Sequence, residues 1–242
     1  MKKLIQYTGI SLLLLGAEYI TAQLPVLSDP VVEKIDISFQ FLEGPVWMDG
    51  KILFSDIPAN KVYQWTEEDG SSVFLEPSGN SNGLALDSQG RLLLAQHGKR
   101  QVAVLLENNS DSTLAGEYEG KRLNSPNDIT VRSDDAFYFT DPPYGINPAD
   151  SELGYSGIYL YTASGELRLM DKSLNRPNGI VLSPDESILY VSDSEARKIY
   201  TWETDGDTIL NKTLFASMSP PGNADGMKTD GNGFLYATGP AG

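Results

Sequence analysis

The 242-residue sequence contains no cysteine and only one histidine, His97. The absence of cysteine excludes disulfide bonds, thiolate metal sites and cysteine nucleophiles. A lone histidine also argues against a zinc or transition-metal centre, because such centres usually take several nitrogen or sulfur ligands. A secreted chain of this length can forgo disulfides, since it is long enough to bury a large apolar core.

Basic residues are scarce: 18 lysines and arginines stand against 33 aspartates and glutamates, which gives a net charge of −15. So acidic a surface is unsuited to nucleic acid or to an anionic membrane, because both carry negative charge themselves. The acidity is not in itself evidence for metal binding, since surface carboxylates commonly serve solubility. We therefore expect neither nucleic acid nor a membrane as a partner, and composition does not address the oligomeric state.

Long apolar runs are absent beyond the N-terminus. Two lysines precede an apolar stretch at residues 10–17, and Ala22 supplies a small residue before a cleavage point. This order predicts a secretory signal peptide over residues 1–22, and therefore a secreted or periplasmic location for the mature domain, residues 23–242. Ile20 departs from the pattern, because a bulky residue stands three positions before the cut. An uncleaved anchor or an apolar N-terminal tail is the alternative.

At five places a polar residue able to bind a metal is followed at once by an apolar, strand-like run. The five segments are residues 43–47, 82–86, 127–131, 178–182 and 225–229, and their first residues are 39, 45, 51 and 47 positions apart. Repeats of this length with β-type patterning are typical of propeller blades of about four strands. Since equivalent positions on successive blades meet at the central axis, these oxygen-bearing side chains are predicted to converge on a hard-cation site.

The first four repeats each contain two further strand-like runs. These runs are residues 52–56 and 61–65, 91–95 and 101–105, 136–140 and 157–161, and 188–192 and 198–202. Turn sequences at residues 87–90 and 184–187 separate first from second strands, as expected for hairpins. Another strand is predicted at residues 32–41, and no segment beyond the N-terminal stretch carries a sustained helical period. The fold is therefore predicted to be all-β.

The fifth repeat offers two strands, at residues 226–229 and 234–238, and the sequence then stops. About four and a half blades are present, whereas six blades of about 45 residues would need about 270. A propeller stopped at this point has open sheet edges, which invite aggregation. We expect the propeller to be C-terminally incomplete in this sequence, and a complete short propeller is the alternative.

Five short motifs occur in the order and spacing of a known family. They are EGPVW at residues 43–47, RLNSPND at 122–128, FTDPPYG at 139–145, RPNG at 176–179 and ADGM at 224–227. With these motifs the chain, from about Phe41 to its last residue, resembles the gluconolactonase and senescence marker protein (regucalcin) family. The resemblance implies a six-bladed β-propeller with a divalent cation, usually calcium, near its axis. It also implies a lactone or sugar-acid substrate.

The resemblance implies that Glu43, Asn178 and Asp225 are the principal metal ligands. It also implies that Asn127 faces both the metal and the substrate. The residue chemistry agrees, because two carboxylates and two amide carbonyls supply only hard oxygen donors. An Asn-Gly or Asp-Gly pair taken alone is typical of a tight turn, but each pair here precedes a strand at one repeat position. Asn82 shares that position, either as a pocket residue or as a turn former.

Four residues have candidate roles in the chemistry or in the pocket. Asp225 is the expected general base or water-orienting group, with a purely structural ligand as the alternative. The resemblance places Arg122 near the pocket, where it would bind substrate hydroxyls or a carboxylate, and a surface position is the alternative. His97 is more typical of a packing or hydrogen-bonding residue than of a catalyst, although a place at the pocket rim stays open. Tyr144 is expected to anchor a loop over the pocket, or else to stack on a sugar-like ligand.

Other catalytic arrangements lack support in the sequence. One histidine outside a strand-turn-helix context cannot establish a serine–histidine–acid triad, and a phosphate-cradling glycine loop is absent. We therefore predict a calcium-dependent hydrolase of sugar lactones that acts by metal-assisted ester hydrolysis. The alternatives are a phosphoester or organophosphate hydrolase on the same metal, or a non-catalytic, calcium-stabilised propeller that binds sugars or a protein.

Overall fold

β-Strands form nearly all of the regular structure in the computed structural model, which describes residues 39–239. In chain order the strands are β1 (Leu42–Met48), β2 (Lys51–Asp56), β3 (Lys61–Thr66), β4 (Gly70–Leu75), β5 (Ser81–Leu86), β6 (Leu92–Gln96), β7 (Gln101–Leu105), β8 (Asp111–Ala115), β9 (Glu117–Tyr118), β10 (Lys121–Arg122), β11 (Ile129–Val131), β12 (Phe137–Asp141), β13 (Gly157–Tyr161), β14 (Leu167–Asp171), β15 (Pro177–Leu182), β16 (Ile188–Asp193), β17 (Lys198–Asp205), β18 (Thr208–Ser217), β19 (Met227–Thr229) and β20 (Leu235–Ala237). The described part also contains a 3₁₀ turn, Pro148–Asp150, and holds no helix long and apolar enough to cross a membrane. The all-β prediction is confirmed.

The strands form four consecutive four-stranded antiparallel sheets and one two-stranded sheet. The order within and between sheets follows the chain: β1–β4, β5–β8, β11–β14, β15–β18 and β19–β20, with β9 and β10 as a small extra hairpin. Consecutive sheets of this kind are the arrangement of propeller blades. The six-blade count and the C-terminal incompleteness stay predictions. The predicted signal peptide and nearly all of the predicted strand at residues 32–41 lie outside the described residues.

The apolar core lies between neighbouring sheets, where aromatic and aliphatic side chains of the middle strands pack together. In the third sheet the rings of Phe139 and Tyr159 stack with centroids 5.3 Å apart, and both side chains are fully buried. Residues of the second sheet, among them Leu93 and Val102, complete the same cluster. Aromatic and β-branched residues suit such pleated, buried surfaces, which explains why the middle strands were the easiest to predict.

The first strands of successive sheets lie side by side, and glycines allow their backbones to approach closely. Gly83 N donates a hydrogen bond to Asn127 O (2.7 Å), and Gly179 N donates one to Asp225 O (3.2 Å). A Cβ atom on Gly179 would lie 2.2 Å from Asp225 O, and one on Gly83 would lie 2.6 Å from Asp128 Cα. Neither glycine has the positive φ of a left-handed turn. These Asn-Gly pairs are therefore points of close strand contact and not turns.

An aspartate ends the second strand of three sheets and holds the segment that enters the first strand. Asp56 accepts hydrogen bonds from the backbone N–H groups of residues 40 and 41, and Asp193 accepts them from residues 175 and 176. Asp141 takes the same place in the third sheet. Because each aspartate binds the chain two or three residues before a predicted ligand, these hydrogen bonds help to position the ligands.

We expect Asp141 to make the protein less stable as the pH rises. Its side chain is fully buried, Oδ2 accepts a hydrogen bond from Asn124 N (2.8 Å), and Oδ1 has no partner among the described residues. Burial raises the pKa of Asp141 from 3.8 to about 7. Between these values the folded state keeps a proton that the unfolded chain has released, so stability falls as the pH rises from about 4 to about 7. The loss is roughly 4 kcal/mol at most.

Urea unfolding between pH 4.5 and 8 checks this expectation. Asp141→Asn removes the titrating group, and its stability should therefore decline less across this range than that of the wild type. Asp193→Asn is the matched control, since it replaces the equivalent aspartate of the next sheet. An equal decline in the wild type and in Asp141→Asn would show that the buried carboxyl group is not the cause.

Candidate active site and metal centre

The structure brings the four predicted ligands together around a common space. Glu43 lies in β1 and Asn178 in β15, while Asn127 and Asp225 stand two residues before β11 and β19. All four line two adjoining cavities, one of 270 Å³ and one of 780 Å³. Asn82, at the equivalent position of β5, lines both cavities as well, which agrees with its interpretation as a pocket residue. Metal binding by these side chains stays a prediction.

The site concentrates negative charge in a partly buried place. Burial, followed by the charges of Asp225 and Asp128, raises the pKa of Glu43 from 4.5 to about 8. Burial also raises the pKa of Asp225, which a hydrogen bond from Asn178 opposes. Without a cation these carboxylates repel one another and resist ionisation, whereas a bound dication would favour their charged forms.

Asp128 is buried, and both of its carboxylate oxygens accept hydrogen bonds from the backbone. Its Oδ1 accepts a hydrogen bond from Ile129 N (2.9 Å), and its Oδ2 accepts one from Ile180 N (3.1 Å). Burial raises its pKa, and the positive charge of Lys228 opposes this effect. Because both oxygens serve neighbouring first strands, Asp128 ties two sheets together beside the site and is not placed among the candidate ligands.

The donor set fits a hard divalent cation. Asp225 Oδ1 is buried and has no hydrogen-bond partner among the described residues. A bound cation would satisfy this oxygen. Within residues 39–239 no three acidic or histidine side chains form a metal-binding cluster of their own. The candidate centre instead combines the carboxylates of Glu43 and Asp225 with the amides of Asn127 and Asn178. Such mixed carboxylate and carbonyl sets suit calcium, which takes six to eight oxygen ligands.

Several pocket residues were not found from the sequence. Asn223 and Ser194 line the smaller cavity, as do the apolar side chains of Phe41 and Ile57. Asn223 Oδ1 is also buried without a partner among the described residues. Its only sequence signal is its place two residues before Asp225, which puts both side chains on one side of an extended segment.

Tyr144 forms part of the pocket wall. Its side chain lines the smaller cavity together with Ser194 and Asn178. The guanidinium group of Arg176 lies 5.2 Å from the centre of the tyrosine ring, within cation–π range. The loop that carries Tyr144 is held in place by Ser125, whose Oγ donates to Pro142 O (2.6 Å). Ser125 thus anchors the loop, and Tyr144 is the residue of the loop that lines the pocket.

His97 follows β6 and also lines the smaller cavity. It is 7% exposed, and its Nε2 lies 3.2 Å from Nδ2 of Asn82. Burial lowers the pKa of His97 from 6.5 to about 4, so its ring is neutral at physiological pH. The histidine therefore makes a hydrogen bond, as predicted for a lone histidine, and does so at the pocket.

Arg122 is not brought to these residues. It belongs to the small β10 strand, is exposed, and donates from Nη2 to Lys99 O (3.3 Å). Neither cavity includes Arg122 in its lining. The surface position weighed from the sequence is where the side chain lies, and its predicted contact with substrate stays a prediction.

Residues 79–83 read Gly-Asn-Ser-Asn-Gly, which is the spacing of a hydrolase nucleophile elbow. Ser81, the central residue, lies inside β5 and is fully buried. Its hydroxyl group pairs with the hydroxyl of Ser55 at 3.0 Å, and a strand, not a helix, follows it. The segment is therefore a strand entry, and the structure gives it no nucleophilic role.

Comparison with known proteins gives a consistent result. The SMP-30/Gluconolactonase/LRE-like region matches residues 41–242. Gluconolactonase from Zymomonas mobilis is 36% identical in an alignment of 241 positions, and the alignment covers 87% of this chain and 68% of that protein. The structure of a gluconolactonase from Xanthomonas campestris is similar with a TM-score of 0.78 and 35% identity, over 83% of this chain and 70% of the other. The calcium-binding protein regucalcin from Agrobacterium tumefaciens has a similar fold, with a TM-score of 0.66 and 20% identity, over 82% of this chain and 67% of that one.

These matches cover the part of the chain that carries the site. The matched region begins at Phe41, two residues before the first predicted ligand, and includes every residue that lines the smaller cavity. The resemblance drawn from the five sequence motifs is confirmed. This chain is a member of the SMP-30/gluconolactonase/LRE-like family.

Proposed function

We propose that the protein is a calcium-dependent hydrolase of sugar lactones of the gluconolactonase type. The observation that carries the proposal is the convergence of Glu43, Asp225 and two amides on one small cavity, with a buried Asp225 oxygen that has no partner among the described residues. Similarity to gluconolactonases from two bacteria supports the reaction class. The all-oxygen donor set supports calcium over softer metals.

Each side chain at the site has a separate role in the proposed reaction. The residues that would hold the cation are Glu43, Asn127, Asn178 and Asp225. When bound, the cation would polarise the lactone carbonyl and stabilise negative charge on its oxygen. Asp225 lines the cavity, and its carboxylate is the group to which we assign the acceptance of a proton from the attacking water. Asn178 lies beside this carboxylate and lowers its pKa, which opposes the effect of burial.

Calcium should raise the melting temperature substantially. Burial and neighbouring carboxylates disfavour the charged form of Glu43, and a dication would remove this cost. At a calcium concentration 100-fold above Kd, binding to the folded state adds about 2.7 kcal/mol to the free energy of unfolding. Differential scanning calorimetry after chelation, followed by a calcium titration, measures the effect. Glu43→Gln is the control, since it should lose most of the shift, and a wild-type melting temperature unmoved by saturating calcium would contradict the site.

Turnover of a substrate panel tests the reaction itself. We expect hydrolysis of sugar lactones that stops on chelation and returns with calcium. Hydrolysis of phosphoesters or organophosphates without lactone turnover would assign the second chemistry weighed from the sequence. Calcium-dependent binding of a sugar without any turnover would instead identify a binding propeller.

A further inference from the structure

The single histidine and a buried asparagine form a pair beside the candidate metal centre. Asn82 Nδ2 lies 3.2 Å from His97 Nε2, and the two residues are 5% and 7% exposed. Both line the smaller cavity together with Asp225. The proposed mechanism uses neither of them, although they are among the most deeply buried polar groups at the site.

The contact between Asn82 and His97 determines which of their hydrogen-bond donors and acceptors stay free. An amide nitrogen can only donate, so His97 Nε2 is the acceptor and the ring proton is on Nδ1. Burial lowers the pKa of His97 to about 4, which agrees with a neutral ring. Because Asn82 occupies the Nε2 lone pair, that nitrogen is not available to take a proton from water. No hydrogen bond between described residues engages the carbonyl oxygen of Asn82, whose side chain lines the cavity.

The histidine ring is held firmly in this orientation. A Cβ atom on Gly145 would lie 2.6 Å from His97 Cβ and 2.8 Å from its Cγ, so the loop packs directly against the ring. Gly145 N donates to Ser125 Oγ (2.8 Å), which fixes the loop, and His97 N donates to Asn80 O (3.1 Å). A ring packed against a fixed loop, on a backbone that is itself hydrogen-bonded, can determine how its partner amide is turned.

We propose that Asn82 positions the substrate by hydrogen-bonding hydroxyl groups of a polyhydroxy lactone, and that His97 is a positioning residue that holds the Asn82 amide in the orientation required. An amide offers both a donor and an acceptor, which suits the hydroxyl groups of a sugar ring, whereas an unsubstituted lactone has no donor for the amide oxygen. This inference rests on the proposed lactonase function and adds the residues that recognise the hydroxylated ring.

Steady-state kinetics on two lactones tests the proposal at saturating calcium. For glucono-δ-lactone, Asn82→Ala and His97→Phe should raise KM by about 10-fold, the equivalent of one lost hydrogen bond, with kcat within about threefold. For δ-valerolactone, which has no hydroxyl groups, both variants should match the wild type. His97→Gln should restore the wild-type KM, because the glutamine carbonyl can accept from Asn82. If Asn82→Ala does not fold, Asn82→Ser replaces it.

Two kinetic results would overturn the proposal. Loss of kcat by about 10²–10⁴-fold in His97→Gln would identify His97 as a general base, since the substitution keeps the acceptor but not the basic nitrogen. Equal KM values for Asn82→Ala and the wild type on the hydroxylated lactone would show that the amide does not contact the substrate.

Binding of a non-hydrolysable analogue separates this inference from the proposed function. Gluconolactam has the same hydroxyl groups with an amide in place of the ester, and calorimetry gives its Kd with the calcium-loaded wild type and with Asn82→Ala. If the wild type hydrolyses no lactone but binds the lactam about 10-fold more tightly than the variant, the lactonase function fails and the role of Asn82 stands. Equal affinities, or no binding to the wild type, would overturn the role of Asn82.

Discussion

Asp225→Asn should lower kcat for lactone hydrolysis by about 10²–10⁴-fold, the usual contribution of a general base. The substitution keeps the size of the side chain and one carbonyl oxygen for the metal, but it removes the proton acceptor. Calcium affinity should therefore fall less than kcat, because an oxygen ligand survives. Kinetics at a series of calcium concentrations, with the calcium Kd measured separately by calorimetry, distinguish the two effects.

Asn178→Ala is the matched control, since it removes a candidate ligand that is not a candidate base. It should weaken calcium binding first and regain activity as the calcium concentration rises. If Asp225→Asn is likewise restored to near wild-type kcat by excess calcium, the role of Asp225 is metal binding alone. His97 would be a poor substitute as base, because Asn82 occupies its Nε2.

The convergence of the candidate ligands was predictable because it follows from a repeat. Each ligand enters the first strand of a sheet, and successive first strands lie side by side. Residues at one repeat position must then lie near one another, even when Glu43 and Asp225 are 182 positions apart. The repeat period alone therefore predicts that the candidate ligands lie close together in the folded protein.

The pocket walls did not follow from the repeat, because loops of different length build them. Tyr144 and Ser194 each follow the second strand of a sheet, at the ends of β12 and β16, but their chain paths differ after that point. Arg122 is a second example, because it lies on the exposed strand β10, the surface position weighed from the sequence, and its predicted contact with substrate stays a prediction. Loop geometry depends on local turn chemistry and tertiary contacts, which a repeat does not specify.

The outer strands of the sheets were also missed, and their exposure explains why. In β18, Thr208–Ser217, eight of the ten residues are exposed, and in β8, Asp111–Ala115, only Ala115 is buried. A strand with little buried surface need not alternate between apolar and polar residues, so it lacks the period-two signal on which the prediction depends. The inner strands β5 and β15, by contrast, are buried along almost their whole length.

Gly179→Ala should destabilise the protein by about 3 kcal/mol or more, the upper end of the range for overpacking. The new Cβ would lie 2.2 Å from Asp225 O and 3.0 Å from Gly226 Cα, and both are backbone atoms that no rotamer change can move. For a domain of this size the melting temperature should fall by about 6–12 °C. Urea denaturation and calorimetry of the calcium-free protein measure the loss.

Gly231→Ala provides the matched control, since a Cβ there would have no neighbour within 4 Å and its stability should stay within about 0.5 kcal/mol of the wild type. The calcium-induced rise in melting temperature then separates two consequences of Gly179→Ala. If the methyl group forces β15 and the segment at Asp225 apart, Asn178 and Asp225 can no longer bind the same cation. The calcium-induced rise in melting temperature should then shrink as well. If the calcium-free protein melts at a lower temperature but calcium raises its melting temperature as much as in the wild type, the strands separate elsewhere. Full wild-type stability would show that the two backbones are not packed at this distance.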